Sequence, residues 1–402
     1  MMSPPSWGHD IQRIKVTAME ATATATATAP RPYARLSAGD PAPWFHQRSG
    51  SNPNYAFDTA AGRYIVMCFF MTAGDPVGRK AVEAVLKNRH HFDDKRACFF
   101  GVSVDPRDES EKRVRDAMPG VRFFWDFDGT ASKLYGAIPR DTKPNEGGVP
   151  TRRFWVVLDP TLRVMATFPF ESDPDHAAVF AFVEKLPEPD RFAGIEVSAP
   201  ILILPNVFEP EFCRHLIGLY EKHGGEESGF MRDVDGKTVA LQDRSHKSRK
   251  DYVIEDPELM KQTQNRILRR IVPEVLKVHQ FKATRMERYI VSCYAAEEGG
   301  HFRAHRDNTT KGTAHRRFAV SLILNDAFEG GEVSFPEYGP RGYKPPAGGA
   351  VVFSCSLLHA VSKITSGKRY AFLPFIYDDE AAKIREANNA FLGEGVGAYK
   401  ST

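Results

Sequence analysis

The sequence predicts an α/β domain followed by a mainly-β sandwich or jelly roll with flanking helices. Three observations predict it. The chain has 402 residues, more than one domain usually holds. From Leu36 to Pro189 apolar strands alternate with helical segments, the pattern of an α/β sheet that is mostly parallel. From Thr284 onward come seven or eight short strands separated by Gly, Pro and Asn turns, the pattern of an antiparallel sandwich.

Composition bounds the function. With 42% hydrophobic and 26% charged residues the chain can fill a core. A net charge of +3 is small for this length and gives no electrostatic case for nucleic acid or a membrane surface. No apolar run reaches the roughly 18 residues of a membrane span. The N-terminus lacks the basic-then-apolar order of a secretory signal. The five cysteines, at 68, 98, 213, 293 and 355, are widely spaced and form no CxxC pair. They suggest neither a disulfide framework nor a thiolate zinc site, so a reduced cytoplasmic setting is expected.

Residues 1 to about 32 hold a Thr/Ala alternation and two prolines, and a disordered tail outside the chemistry is expected there. The first domain is expected over 33–189. Tyr64 to Phe70 and Ala97 to Asp105 read as buried strands, with helical periodicity from Val77 to Asn88 between them. A charged helix is expected over Glu109 to Ala117, then a strand near Val121 to Trp125 and a short helix from Ala131 to Tyr135. Arg153 to Asp159 and Arg163 to Phe168 read as two strands joined by the turn Asp159-Pro-Thr, and Asp175 to Leu186 as a closing helix.

This stretch, about 36–188, resembles the peroxiredoxin branch of the thioredoxin-like fold. The resemblance rests on Gly39-Asp-Pro-Ala-Pro, Gly101-Val-Ser-Val-Asp, Trp125-Asp-Phe-Asp-Gly, Tyr135-Gly and Gly148-Val-Pro-Thr-Arg-Arg-Phe. It implies a reactive cysteine just after a proline at the first helix N-terminus, where the helix dipole and an arginine lower its pKa. Here Asp75-Pro76-Val77-Gly78 puts Gly78 at that position, and Arg152 or Arg153 has no thiol to activate. A structural or partner-binding scaffold is expected; residual peroxidase activity through Cys98 is the rival.

A Pro-containing linker is expected over 190–199 and a second domain over 200–402. Its strand Ala199 to Pro205 precedes an amphipathic helix, Glu209 to His223, which stops at Gly224-Gly225. Residues 226–250 read as loop with a short strand around Thr238 to Leu241, and Asp256 to Val278 as a helix interrupted near Pro273. The strands follow, and a terminal helix over Glu380 to Phe391.

The chemistry concentrates in that second domain. His305 and Asp307 stand two apart in an extended stretch, so their side chains share one face. His359 begins a later strand that a jelly roll can bring alongside. Two imidazoles and one carboxylate that leave positions open form the ligand set of non-haem Fe(II) oxygenases. Arg369, ten positions past His359, can fork onto a carboxylate. Other candidates have plainer roles. His301 is expected near the site without ligating. His315, Arg316 and Arg317 read as a solvated turn and strand start, with binding of a substrate carboxylate as the alternative. Cys293 and Cys355 read as packing residues, and His90-His91 as a helix end. Tyr338 to Tyr343 reads as a loop covering the site mouth.

Tyr289 to Tyr377 is similar to the prolyl 4-hydroxylase type of 2-oxoglutarate/Fe(II) dioxygenase, with its double-stranded β-helix. Four pieces carry this in order: Tyr294-(x)5-Gly300-His-Phe-(x)2-His305-x-Asp307; Leu322-Ile-Leu-Asn325-(x)3-Glu329-Gly-Gly-Glu332-Val-x-Phe335-Pro336; Gly348-Gly-Ala-Val-Val-Phe353; and Leu358-His359-x-Val361-(x)5-Gly367-Lys-Arg369. The resemblance implies Fe(II) held by His305, Asp307 and His359. It implies 2-oxoglutarate contacted by Tyr294 and by a basic residue, Arg369 or Lys368; parity with His359 favours Arg369. It further implies O2 as oxidant, ascorbate as an added reductant, succinate and CO2 as products, and a hydroxylated amino-acid side chain, peptide or small molecule. The rival from another class is a non-enzymatic sensor of iron or 2-oxoglutarate. In either case the thioredoxin-like domain could mediate a homodimer or dock a protein partner.

Overall fold

The computed structural model describes residues 31–143, 146–171, 173–393 and 396–400. The tail expected over 1–32 thus lies outside the described residues except for Arg31 and Pro32.

The N-terminal domain is thioredoxin-like, in its peroxiredoxin form. Its five-stranded sheet runs in the order Val121–Trp125, Ala97–Ser103, Tyr64–Met71, Phe154–Leu158, Val164–Pro169. The first three are parallel, and the last two join antiparallel. The sheet is therefore mixed where a mostly parallel one was expected. The turn after Leu158 explains this: the Asp159 carboxylate accepts from the Thr161 and Arg163 backbone N–H groups, closing a tight hairpin. Tyr64–Met71 and Ala97–Ser103 are buried along their whole length, as their unbroken apolar runs require. The helix expected over Glu109 to Ala117 is displaced and short. It spans Pro106–Ser110, capped by Asp105, and a left-handed Lys112 (φ 54°) prevents its continuation.

The C-terminal domain is a sandwich of two antiparallel sheets. The larger runs Arg285–Glu287, Phe375–Tyr377, Phe318–Ile323, Ile364–Phe372, Ile290–Ala295, Lys250–Val253, Glu226–Glu227. Ala350–Ser354 adds beside Phe318–Ile323 and also pairs with Leu202–Leu204. The smaller sheet runs Lys247–Ser248, His301–His305, His359–Val361, Val333–Ser334, Gly342–Tyr343. Helices Pro210–His223, Pro257–Arg270 and Val272–His279 cover the outer face of the larger sheet through Leu216, Ile267 and Val275. The second and third of these are one helical stretch broken at Ile271, with Pro273 in the first turn after the break. The inner faces enclose a second core that includes Phe328, Val333, Phe335, Val351, Phe353 and Val361. Among the described residues no helix is long and apolar enough to cross a membrane.

The two domains share a core. Leu358 is fully buried within the N-terminal cluster of Phe57, Phe69 and Phe100, and Ala304 packs against it. Gly62 approaches Pro336 so closely that a Cβ there would lie 2.6 Å from the proline ring. The segment Tyr338 to Tyr343 differs from expectation. It does not line the site; Gly339 lies against Asp190, and Arg341 pairs with Glu196.

Candidate metal centre

His301–His305 and His359–Val361 pair antiparallel, with His305 directly opposite His359. Directly opposed residues place their side chains on one face, and that face is the inside of the sandwich. Asp307 follows two residues later, its N–H donating to the Cys355 carbonyl at 3.0 Å. One donor atom from each of His305, Asp307 and His359 lies within 4.8 Å of the others. The Nε2 atoms of His305 and His359 stand 3.6 Å and 3.3 Å from the two Asp307 oxygens.

The imidazoles are oriented from behind. His305 Nδ1 lies 2.8 Å from the Arg303 carbonyl, and His359 Nδ1 lies 3.0 Å from the Leu357 carbonyl. A carbonyl only accepts, so each Nδ1 carries a proton and each Nε2 is the nitrogen turned inward, where it can ligate a cation. Burial, with the His359 ring beside it, pushes the His305 imidazole down to about 4. Burial alone would raise the Asp307 carboxyl, but His359 and His305 hold it below the usual carboxylate range. Two neutral imidazoles and one carboxylate suit a divalent cation with hard and borderline character. The donor set fits Fe(II).

Arg369 completes the arrangement. It faces Tyr294 across neighbouring strands, its guanidinium 5.0 Å from the Tyr294 ring. It is fully buried, and Nη2 donates to Ser321 Oγ at 2.9 Å. Its Nε and Nη1 have no hydrogen-bond partner. An unsatisfied buried guanidinium is costly, and a carboxylate would relieve it. Lys368 instead points outward, its side chain half-exposed beside Glu297. Alternation along Ile364–Phe372 separates the two. The dianion 2-oxoglutarate fits a metal site flanked by such a cation.

Several residues sit differently from expectation. His301 turns away from the pocket, its ring nitrogens 2.7 Å and 3.2 Å from the Gly299 and Ser245 carbonyls. His315 is buried, and Arg316 and Arg385 both pair with the buried Glu287, so this turn is an internal charge cluster rather than a solvated one. Sequence reasoning missed the charged wall formed by Arg249, Asp251 and Arg288 on the same inner surface. The 226–250 stretch was too polar to register as sandwich interior. Its signal is alternation: in Lys250–Val253, Asp251 faces in and Tyr252 faces the helices.

The N-terminal domain holds no matching chemistry at Gly78. A Cβ there would lie 1.9 Å from the Thr72 carbonyl oxygen, so the backbone leaves no room for a cysteine. Arg153 donates to the Phe70 carbonyl at 3.1 Å and pairs with Asp75. All five cysteines are free and buried. Burial pushes the Cys98 thiol up to about 12, which suppresses the thiolate. The protein is therefore expected to consume hydrogen peroxide at the same background rate as Cys98→Ser. A peroxidase rate lost on that substitution would count against this.

Comparison with known proteins agrees with this division. Residues 289–377 match the family model described as the 2OG-Fe(II) oxygenase superfamily. Residues 38–179 match the AhpC/TSA family. A PKHD-type hydroxylase of Synechococcus sp. is 30% identical over 94 residues, covering 22% of this chain and 41% of that protein. The chain thus spans about two fifths of the length of that curated relative. A PKHD-type hydroxylase of Shewanella sp. (strain MR-4) is 27% identical over 183 residues, covering 42% of this chain and 75% of that protein. Among solved structures, a viral collagen prolyl hydroxylase from Paramecium bursaria chlorella virus-1 aligns at 18% identity and a TM-score of 0.33, covering 44% of this chain and 95% of that one. Peroxidoxin BcpB from Mycobacterium tuberculosis aligns at 20% identity and a TM-score of 0.31, covering 38% of this chain and all of that one. The chain accordingly carries an AhpC/TSA family region at residues 38–179 and a 2OG-Fe(II) oxygenase superfamily region at residues 289–377.

Proposed function

We propose that the C-terminal domain is a 2-oxoglutarate- and Fe(II)-dependent dioxygenase that hydroxylates its substrate and releases succinate and CO2. One observation carries the proposal. Three inward donor atoms within 4.8 Å of one another line a pocket with Tyr294 and Ser321, and against those two residues lies a buried guanidinium with two unsatisfied nitrogens.

Each residue has a role in this reading. His305, Asp307 and His359 hold Fe(II). When bound, the iron supplies the O2 chemistry that couples 2-oxoglutarate decarboxylation to substrate oxidation. Arg369 receives the distal carboxylate of 2-oxoglutarate, held in place by Ser321. Tyr294 packs beside that carboxylate, with its hydroxyl already accepting from Arg249 Nη1 at 3.1 Å. Phe302, Phe353 and Val361 line the pocket and exclude water from the reacting centre.

Succinate release from 2-oxoglutarate tests the proposal directly. Wild type is expected to release succinate only with Fe(II). Arg369→Ala is expected to raise the KM for 2-oxoglutarate by about thirty-fold or more, from a lost buried charge pair of roughly 2 kcal/mol or above. Co(II) affinity should stay unchanged in that variant. An unchanged KM would remove Arg369 from the co-substrate site, and no succinate from wild type under any substrate mixture would sink the enzyme itself.

A further inference from the structure

The charged inner wall carries more positive charge than metal and co-substrate account for. In the proposed complex, the carboxylate of Asp307 and the two charges of 2-oxoglutarate offset the divalent metal and Arg369. Arg249 is matched by Asp251, Nη2 donating to Oδ2 at 2.6 Å. The Asp251 carboxylate is already heavily engaged, since it also accepts from Ser228 Oγ and from Ser292 Oγ at 2.6 Å. Arg288 is left over. It reaches Asp251 only at 3.5 Å, and its guanidinium stands 5.4 Å from the Phe375 ring in the pocket that holds His305, Asp307 and His359.

The backbone is bent to put it there. Arg288 has φ 67°, in the left-handed region that a long side chain visits at a cost of about 1 kcal/mol or more. The kink breaks strand alternation between Arg285–Glu287 and Ile290–Ala295. It lets Glu287 bury its carboxylate among Arg316 and Arg385 while Arg288 turns into the pocket. The Arg288 side chain keeps 29% of its exposure, whereas Arg249 keeps 3%. Arg288 therefore stands where the pocket meets solvent and Arg249 lies behind it. Burial and the nearby Arg249 also lower the Arg288 pKa to about 10, as expected of a cation short of counter-charge.

We propose that Arg288 binds a carboxylate of the substrate, so that this dioxygenase acts on an organic acid whose ionised group docks at the pocket mouth. This rests on the dioxygenase function proposed above. Phe353, Val361 and Phe375 line the same pocket as Arg288 and the three metal-site side chains, which suits an acid with an apolar body. The carboxylate can come from a free acid or from an acidic side chain within a peptide.

The test uses the full chain loaded with Co(II) and 2-oxoglutarate, with binding read by calorimetry. The probes are N-acetyl amino acids with free carboxylates, the same compounds as methylamides, and the methylamides of N-acetyl-aspartate and N-acetyl-glutamate. The free acids are expected to bind and the uncharged methylamides are not. The aspartate and glutamate methylamides report whether a side-chain carboxylate serves equally. Arg288→Gln should weaken acid binding about tenfold or more, and Arg288→Lys, which keeps the charge, should recover part of it. Both variants should bind 2-oxoglutarate as wild type does. Three results overturn the proposal: methylamides binding as well as acids, no carboxylate binding to wild type, or Arg288→Gln weakening 2-oxoglutarate as much as the acids. A chain that takes up no Co(II) or 2-oxoglutarate overturns the dioxygenase reading itself, which is a separate outcome.

Discussion

Asp307→Ala is expected to abolish divalent-metal binding at the concentrations that saturate wild type, and with it all 2-oxoglutarate turnover. Asp307 is the one carboxylate among the three donors, and both imidazoles beside it turn Nε2 toward the same point. Partners that merely orient metal ligands are worth about 10- to 100-fold in metal affinity, so losing a ligand should cost beyond about a hundredfold. Co(II) titration measures this without any substrate. Thermal denaturation gives an independent readout. A metal at about a hundred times its Kd stabilises the folded state by about 2.7 kcal/mol, and that rise in Tm should vanish in the variant. Asp307→Asn controls for shape, because it keeps the side-chain volume while removing the charge. Wild-type Co(II) affinity in either variant would show that the cluster is an internal polar network and not a metal site.

Much of that cluster was legible because its logic is local. His305 and Asp307 stand two apart at the end of one strand and turn to the same side. Phe318–Ile323 and Ala350–Ser354 are apolar enough to announce themselves as strands. What stayed hidden depends on partners distant in sequence. Arg288 and Glu287 point opposite ways because of one left-handed residue, which no composition signals. Ser321 is a polar residue in an apolar strand, and only the fold shows Arg369 lying against it. The antiparallel turn at Asp159 was legible as a turn, but not as the cause of a mixed sheet. The fate of Gly78 needed the backbone, since only the approach of the Thr72 carbonyl shows that a side chain is excluded.

Alternation has a further consequence between the two domains. If His305 and Asp307 face into the sandwich, Arg306 must face out, and it faces the N-terminal domain. Its Nε donates to Asp58 Oδ2 at 3.1 Å, and its Nη1 and Nη2 donate to the two Glu337 oxygens at 3.1 Å and 2.9 Å. Glu337 also accepts from the Leu358 N–H at 2.9 Å, one residue before His359. The guanidinium stands 4.4 Å from the Trp44 ring. Asp58, Arg306 and Glu337 are all buried. One network thus ties both strands that carry the metal-site side chains to the scaffold, which gives the AhpC/TSA region a use that needs no thiol. Arg306→Ala should leave two carboxylates buried without their cation and destabilise the chain by about 3–5 kcal/mol. Asp58→Ala is the more selective probe, because it removes only the N-terminal partner. It should lower Co(II) affinity by about tenfold, in the range of lost orienting contacts, while Glu337 still holds Arg306. A double-mutant cycle over Asp58 and Arg306, read by chemical denaturation and by Co(II) titration, isolates the pair. Co(II) affinity within twofold of wild type in Asp58→Ala would mean that the scaffold stabilises the chain without positioning its metal site.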